Sequence, residues 1–182
     1  MVNGLCRYPI RQPLIFGDNM IISFTGHRAG PKMGGFKIPN PVYNYVCQET
    51  EKLLCELEHI DNDIVCRSGM STGYDMWAAF ICIELGLPFV ATVPFVGQEK
   101  IWPKESQDIY YKLLHKACRV EIVSEGGYSP EKMQIRNERL VDKCDVLIAA
   151  FDGSNGGTKN CVEYAKSKNK EIHIINPNIE RQ

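Results

Sequence analysis

Apolar residues form two kinds of pattern that alternate along the chain from residue 20 onward. Short continuous apolar runs are typical of buried β-strands, and apolar residues at three-to-four spacing predict helices that bury one face. The runs predict strands over residues 20–24, 64–66, 89–93, 119–123, 145–151 and 172–175. The spacing predicts a helix from residue 41 onward and further helices over residues 76–85, 103–117, 130–143 and 157–168.

Capping residues support several of these boundaries. Gly86 follows the second predicted helix, where glycine commonly ends a helix. Ser129-Pro130-Glu131 has the order of an N-cap, a first-turn proline and a carboxylate that favours the helix dipole. The fourth helix is therefore predicted to begin at Pro130.

The alternation of strands and helices predicts the fold class. Strand and helix follow each other about six times with short connections, the pattern of a parallel sheet covered by helices on both faces. We therefore expect one α/β domain over residues 20–182, a Rossmann-like three-layer domain with a mainly parallel sheet of about six strands. Residues 1–19 lie outside the pattern, and we expect them to form an N-terminal extension.

Composition and charge exclude several classes of protein. The chain has 182 residues, of which 44% are apolar, and its 21 basic and 22 acidic residues give a formal net charge of −1. These values disfavour intrinsic disorder. A nucleic-acid partner is not expected, because binding along a phosphate backbone needs an excess of clustered basic residues. No apolar run approaches the roughly 18 residues that would cross a membrane, so a membrane partner is not expected.

The cysteines predict free thiols rather than disulfides or zinc. The chain has eight of them, scattered without any C-x-x-C pair and mostly within apolar segments. We expect them to be reduced and mostly buried in a cytoplasmic protein. His27 has no second histidine or carboxylate at ligand spacing, so neither a metal site nor a resident cofactor is expected.

Candidate chemistry lies in the loops that follow the strands, because ligands of open parallel sheets bind beyond the carboxyl ends of the strands. Two such turns, residues 68–73 and 156–160, are rich in glycine and hydroxyl side chains and open directly into helices. Turns of this kind direct unpaired backbone amides at an anion. The predicted ligand-binding residues are Thr25, Gly26, His27, Arg28, Arg67, Ser68, Gly69, Met70, Ser71, Gly73, Asp75, Pro94, Phe95, Arg136, Asn137, Asp152, Gly153, Gly156, Gly157, Thr158 and Asn160.

For two of these residues the sequence leaves two roles open. Asp75 is expected either to cap the amides of Ser71 or Thr72, or to bind a ribose hydroxyl. Arg136 is expected either to carry charge to the ligand or to lie on a solvated helix face with an ion-pair partner near Glu138. Neither standard nucleotide fingerprint is present, since the chain has no G-x-G-x-x-G and its glycines at Walker-A spacing are followed by Phe36 rather than lysine.

One motif favours a different class of enzyme. Residues 69–73 match the G-x-S-x-G pattern of a serine-hydrolase nucleophile elbow, with Ser71 as the nucleophile. Asp145 or Asp152 and then His173 follow in the order that a catalytic triad needs. His173, however, is predicted within a strand rather than in a loop beyond one, which weakens this alternative.

Together these stretches resemble the SLOG superfamily, and specifically its YpsA-like branch. The residues that carry the resemblance are Thr25-Gly26-His27-Arg28, Ser68-Gly69-Met70, Gly73-x-Asp75-x-Trp77-Ala78-Ala79, Pro94-Phe95 with Trp102, Arg136-Asn137, and Asp145 to Ala149 leading to Gly156-Gly157-Thr158. The resemblance covers about residues 20–176. It implies a Rossmann-like fold whose loops bind a nucleotide-derived ligand, in a homo-oligomer whose subunits share cleft residues.

The resemblance implies binding more strongly than catalysis. Relatives include cytokinin-activating phosphoribohydrolases, a DNA-processing protein, and sensors of ADP-ribose-like or other NAD-derived signals. The phosphoribohydrolases carry a glutamate two or three positions after a Gly-Thr pair, where this chain has Asn160 and Cys161, and Glu163 comes too late. We therefore expect no catalytic residue and a protein that senses or sequesters an ADP-ribose-like or cyclic nucleotide, with phage defence or counter-defence as a candidate setting. An N-glycoside hydrolase or ribosyltransferase acting on nucleotides is the alternative.

Overall fold

A computed structural model describes residues 19–61 and 63–179 of the chain. Its strands are β1 (Met20–Gly26), β2 (Ile64–Ser68), β3 (Phe89–Val93), β4 (Arg119–Ile122), β5 (Val146–Ala150) and β6 (Glu171–Ile175). Its helices are α1 (Pro41–Ile60), α2 (Tyr74–Glu84), α3 (Lys104–Lys116), α4 (Pro130–Asp142) and α5 (Gly157–Ser167), and a short 3₁₀ helix spans Pro31–Met33. The proposed N-terminal extension lies outside the described residues, apart from Asn19.

The six strands form one sheet in the order β4-β3-β2-β1-β5-β6, and every neighbouring pair is parallel. The predicted α/β fold with a six-stranded sheet is therefore confirmed. Strands β2, β3 and β5 are buried along their whole length. Their continuous apolar runs arise because helices cover both faces of the sheet.

Two apolar clusters fill the space on the two sides of the sheet. The larger cluster joins side chains of α1, α2 and α3 to one face, with Leu54, Trp77 and Leu114 among its buried members. The smaller cluster joins α4 and α5 to the other face through Val141 and Val162. The second face is thus covered by two helices, and both of them pack against β1.

Two strands extend further than the apolar pattern predicts. The β1 strand continues to Gly26 and the β2 strand to Ser68, because the parallel ladder pairs Phe24 with Ser68 and Gly26 with Ala150. Arg67 and Ser68 are therefore strand residues rather than loop residues. Main-chain pairing with neighbouring strands, which side-chain hydropathy does not report, extends the strands through these polar positions.

The order of the strands creates a crevice at one place. From β1 the chain moves outward through β2 and β3 to the edge strand β4, and it then crosses back to β5 on the other side of β1. The connections that follow β1 and β5 therefore leave the sheet in opposite directions. Such a switch point is where open α/β sheets bind their ligands, beyond the carboxyl ends of the strands.

The seven cysteines among the described residues are all free thiols, and four of them are buried: Cys66, Cys82, Cys144 and Cys161. This agrees with the prediction for the part of the chain that the structure describes, and Cys6 lies outside it. Burial raises the pKa of the Cys144 thiol to about 11. Within the described ranges, no helix combines the length and the apolar character needed to cross a membrane.

Candidate functional site

A cleft of about 850 Å³ opens at the switch point, between the carboxyl ends of β1 and β5. The end of β1, the loop after it and the start of α2 form one wall, and α4 and the start of α5 form the other. Of the residues predicted from sequence, the cleft is lined by Thr25, Gly26, His27, Arg28, Ser71, Asp75, Arg136, Asn137, Gly157, Thr158 and Asn160. The turns at residues 68–73 and 156–160 thus contribute to one cleft.

The other predicted residues do not line the cleft: Arg67, Ser68, Gly69, Met70, Gly73, Pro94, Phe95, Asp152, Gly153 and Gly156. The structure adds a wall that the sequence analysis did not assign. This wall consists of Tyr128, Pro130, Glu131, Met133, Gln134 and Ile135, at the beginning of α4. The sequence could have indicated this wall, because a helix that follows a parallel strand begins at the carboxyl edge of the sheet, where ligands bind.

The turn before α5 carries free backbone donors. The helix begins after Gly156, and no described residue accepts a hydrogen bond from the amides of Gly157, Thr158 and Lys159. A Cβ atom on Gly153 or Gly156 would meet nothing within 4 Å, so the turn faces open space. Unpaired amides at the positive end of a helix are a favourable place for an anion.

The turn at residues 68–73 is different, because two of its amides are already occupied. The Met70 amide donates to Ser68 Oγ at 3.1 Å, and the Ser71 amide donates to Asp75 Oδ2 at 3.3 Å. The Tyr74 amide donates to the carbonyl of His27 at 3.2 Å. The turn before α5 is therefore the more open of the two amide cradles that the sequence predicted.

A buried ion pair joins α2 to α4 at the bottom of the cleft. Arg136 Nη1 donates to Asp75 Oδ2 at 2.8 Å, and Nη2 donates to Ser71 Oγ at 3.2 Å. The two side chains are only 6% and 5% exposed, so the alternative of a solvated Arg136 is wrong. Burial raises the pKa of Asp75, and the neighbouring Arg136 opposes this rise.

The space for this guanidinium comes from Gly69. A Cβ atom at that position would lie 1.4 Å from Arg136 Nη1, so any larger residue must displace the guanidinium. Gly73 is constrained in a similar way, because its Cβ would lie 2.3 Å from the backbone nitrogen of Ala29 and its φ is +90°. Both glycines therefore serve close packing inside the protein rather than contact with a ligand.

His27 and Asp152 connect the two loops that flank the switch point. His27 Nε2 lies 2.7 Å from Asp152 Oδ1, and the Ser154 amide donates to the same oxygen at 3.0 Å. Lys32 donates in turn to the Ser154 hydroxyl. Although burial acts to raise it, the pKa of Asp152 is held well below its usual range by hydrogen bonds from Ser154 and His27.

Arg67, which the sequence analysis placed beside the ligand, lies elsewhere. Its side chain forms an ion pair with Glu121 on β4. The Glu121 carboxylate also accepts a hydrogen bond from Arg139 Nε at 2.8 Å. Burial acts to raise the pKa of Glu121, but the two arginines hold it below its usual value. Because Arg67 is a strand residue paired with the partly buried carboxylate of Glu121, it contributes no charge to the cleft.

A comparison with protein families decides what kind of protein this is. The YpsA model, described as the YspA SLOG family, matches residues 22–179. The chain belongs to this family. The resemblance to the SLOG superfamily that the sequence motifs indicated is thereby confirmed.

Two bacterial relatives share moderate sequence identity with this chain. The SPbeta prophage-derived protein YoqJ of Bacillus subtilis (strain 168) is 31% identical over 136 residues, which cover 64% of this chain and 79% of that protein. A UPF0398 protein of Bacillus cereus (strain B4264) is 28% identical over 155 residues, covering 81% of this chain and 83% of its own length.

Solved structures share the fold of this SLOG chain at low sequence identity. DNA processing protein A (DprA) from Streptococcus pneumoniae has a TM-score of 0.62 and 18% identity, and the match covers 89% of this chain and 52% of DprA. DprA from Helicobacter pylori, described for its single-stranded DNA binding mode, has a TM-score of 0.60, 20% identity, and coverage of 85% and 64%. The chain therefore spans about half to two thirds of these DprA chains.

The serine-hydrolase alternative is wrong for this SLOG domain. The hydroxyl of Ser71 accepts a hydrogen bond from Arg136, and it donates to no histidine among the described residues. His173 lies on β6 and pairs with Glu171 at 2.7 Å. Two strands, β1 and β5, separate β6 from β2, which leads into the Ser71 turn, so a triad cannot form.

The phosphoribohydrolase glutamate has no counterpart at the start of α5. Asn160 lines the cleft, Cys161 is buried in the core, and Glu163 is 55% exposed and pairs with Lys166 at 2.9 Å. The carboxylates that do line the cleft are Asp75, which is paired with Arg136, and Glu131 on α4. Across the described ranges, no three histidine, cysteine or acidic side chains cluster closely enough to hold a metal ion.

Proposed function

We propose that this protein binds a nucleotide-derived small molecule whose phosphate or pyrophosphate lies on the open amide cradle of α5. An ADP-ribose-like or other NAD-derived compound, or a cyclic nucleotide, is the ligand class. The observation that carries the proposal is the free amides of Gly157, Thr158 and Lys159 at the edge of a cleft on the β1–β5 switch point. Open α/β sheets use this position for phosphate-bearing ligands.

The charges of the cleft support a ligand with one or two phosphate groups. Asp75 neutralises Arg136, and Asp152 pairs with His27, which leaves Arg28 as the exposed cation of the lining and Glu131 as its carboxylate without an ion-pair partner. The helix end adds about half a positive charge. A cleft of about 850 Å³ is also within the usual range for small-molecule sites.

Sequestration or sensing is favoured over turnover. Asn160 can donate to a phosphate or a ribose hydroxyl, but it cannot stabilise the positive charge that develops as an N-glycosidic bond breaks. An N-glycoside hydrolase or ribosyltransferase therefore has less support. The carboxylate of the lining that has no ion-pair partner, Glu131, is at the start of α4 rather than at the start of α5.

The biological setting forms part of the proposal. The relative YoqJ is prophage-derived, which fits a role in phage defence or counter-defence through the capture or detection of a nucleotide signal. We further propose that the protein acts in the cytoplasm as a homo-oligomer. Light scattering of the purified protein tests the oligomer, because a monomeric mass at micromolar concentration would contradict it.

Single-stranded DNA is a competing ligand, because a DprA structure that shares the fold is described for binding it. The formal net charge of −1 disfavours this alternative. The test is a thermal-shift panel of ADP-ribose, cyclic ADP-ribose, cyclic mononucleotides and an oligothymidylate. A ligand at 100 times its dissociation constant adds about 2.7 kcal/mol of stability, so at least one of the nucleotide-derived small molecules should raise the melting temperature. A rise with the oligothymidylate alone would overturn the proposal.

A further inference from the structure

The wall of the cleft that α4 contributes begins with an exposed aromatic side chain. Tyr128 lines the cleft and is 67% exposed, directly before Ser129, the N-cap of α4. Neither the fold nor the amide cradle needs a tyrosine there. Large exposed aromatic rings in a cleft typically meet a ligand.

The Tyr128 ring packs against a buried aromatic side chain. Its centroid lies 6.2 Å from that of Phe95, and the two rings are inclined at 75°. Phe95 itself is buried, two residues after the end of β3. In a nearly perpendicular ring pair at least one face of each ring stays free, so Tyr128 keeps a face for another aromatic group.

The backbone on both sides of Tyr128 is also held in place. Lys132 Nζ donates to the carbonyl of Gly127 at 2.7 Å, and the Lys132 amide donates to Ser129 Oγ at 3.3 Å. Pro130 then fixes the first turn of α4. A ring on such an anchored segment loses little conformational freedom when a ligand binds.

The two ends of the cleft therefore differ in chemistry. The α5 end offers amides and the Arg28 side chain, whereas the beginning of α4 offers Tyr128, Pro130 and Met133. A nucleotide has the same division, with a phosphate at one end and a flat base at the other. Stacking of a base on an aromatic side chain contributes about 1–3 kcal/mol and tolerates different bases.

We infer that Tyr128 is a specificity-determining residue, whose ring stacks on the base of a nucleotide and thereby selects base-bearing ligands over plain sugar phosphates. This inference rests on the proposed function, since it needs the phosphate on α5. It predicts that recognition depends on the presence of an aromatic base more than on which base it is.

The matched probes are AMP and ribose 5-phosphate, which share the sugar and the phosphate and differ in the base. Isothermal titration of the full chain should show AMP binding about tenfold or more tighter than ribose 5-phosphate. Tyr128→Ala should remove most of this advantage and leave the affinity for ribose 5-phosphate unchanged. Tyr128→Phe should keep it, because the ring rather than the hydroxyl does the stacking. Phe36→Ala, an exposed aromatic outside the cleft lining, should also leave it intact.

The outcomes separate this inference from the proposed function. If wild-type protein binds both probes equally, or if Tyr128→Ala weakens both equally, the stacking role is overturned while the phosphate site stands. If neither probe nor any nucleotide of the panel binds, the proposed function is overturned and the role of Tyr128 with it. Melting curves of the variants show whether each one is folded.

Discussion

Arg136 on α4 and Asp75 on α2 form a buried ion pair at 2.8 Å, although 61 residues separate them in the sequence. The pair joins one wall of the cleft to the other. Asp75 Oδ2 also accepts from the Ser71 amide, so the same carboxylate holds the turn of residues 68–73 in shape. The pair is therefore a structural support of the cleft.

Asp75→Asn should lower the free energy of unfolding by about 3 kcal/mol or more, because it leaves the Arg136 charge buried without a counter-ion. Urea unfolding measures this loss. The double variant Asp75→Asn/Arg136→Met should lose less than the sum of the two single variants. Asp108→Asn breaks the exposed Lys104–Asp108 pair and should cost less than about 1 kcal/mol. An Asp75→Asn protein as stable as wild type would show that the pair contributes nothing.

Gly69→Ala should destabilise the protein by about 1–3 kcal/mol, because the new Cβ overlaps the Arg136 guanidinium. Gly127→Ala is the matched control, since a Cβ there meets nothing within 4 Å. It should change stability by less than about 0.5 kcal/mol. Equal melting temperatures for the two variants would contradict the packing role of Gly69.

Asp152→Asn should change the pH dependence of stability on the acid side. The pKa of Asp152 is lowered in the folded state, so its contribution is present above the unfolded value of about 3.9 and is lost as the pH falls below it. The stability difference between wild type and Asp152→Asn should therefore be constant above about pH 5 and shrink below about pH 4. Glu163→Gln, which affects an exposed ion pair, should differ little from wild type throughout. A difference for Asp152→Asn that does not vary with pH would be inconsistent with this account.

Gly157→Asp should abolish binding of ADP-ribose while the fold persists. A Cβ at this position meets only Asn137 Nδ2 at 3.9 Å, and an acidic residue at a helix start is favourable. The added carboxylate, however, repels a phosphate from the cradle. Ser106→Asp adds the same charge to the first turn of α3, on the other face of the sheet, and should bind ADP-ribose like wild type. Undiminished binding by Gly157→Asp would place the phosphate elsewhere.

AMP and NAD should be recovered unaltered after long incubation with the protein, because no carboxylate stands at the phosphoribohydrolase position. Liquid chromatography detects a released base directly. Adenine or nicotinamide above the level of a protein-free control would favour the hydrolase alternative over sequestration.

The fold could be predicted from the sequence because it depends on local patterns. The apolar runs at β3 and β5 and the glycine at residue 86 each report on their own neighbourhood, and their alternation indicates a parallel sheet. The turn before α5 was found for the same reason, since its glycines directly precede a helix start.

The details of the site depend on partners that are distant in sequence. Arg67 meets Glu121 across 54 residues, and Arg136 meets Asp75 across 61. No spacing rule joins such pairs, so the sequence placed Arg67 beside the ligand and left two roles open for Arg136. Tyr128 was missed for a related reason, because only its contact with Phe95 and its place on the cleft wall make it conspicuous.

The central claim is that the amides at the start of α5 hold a phosphate group. Amide nitrogen–proton NMR spectra recorded during a titration with ADP-ribose test it most directly. The account predicts that Gly157, Thr158 and Lys159 show the largest shift changes, together with Arg28 across the cleft. Saturable binding that shifts other parts of the molecule and leaves these amides unchanged would contradict it.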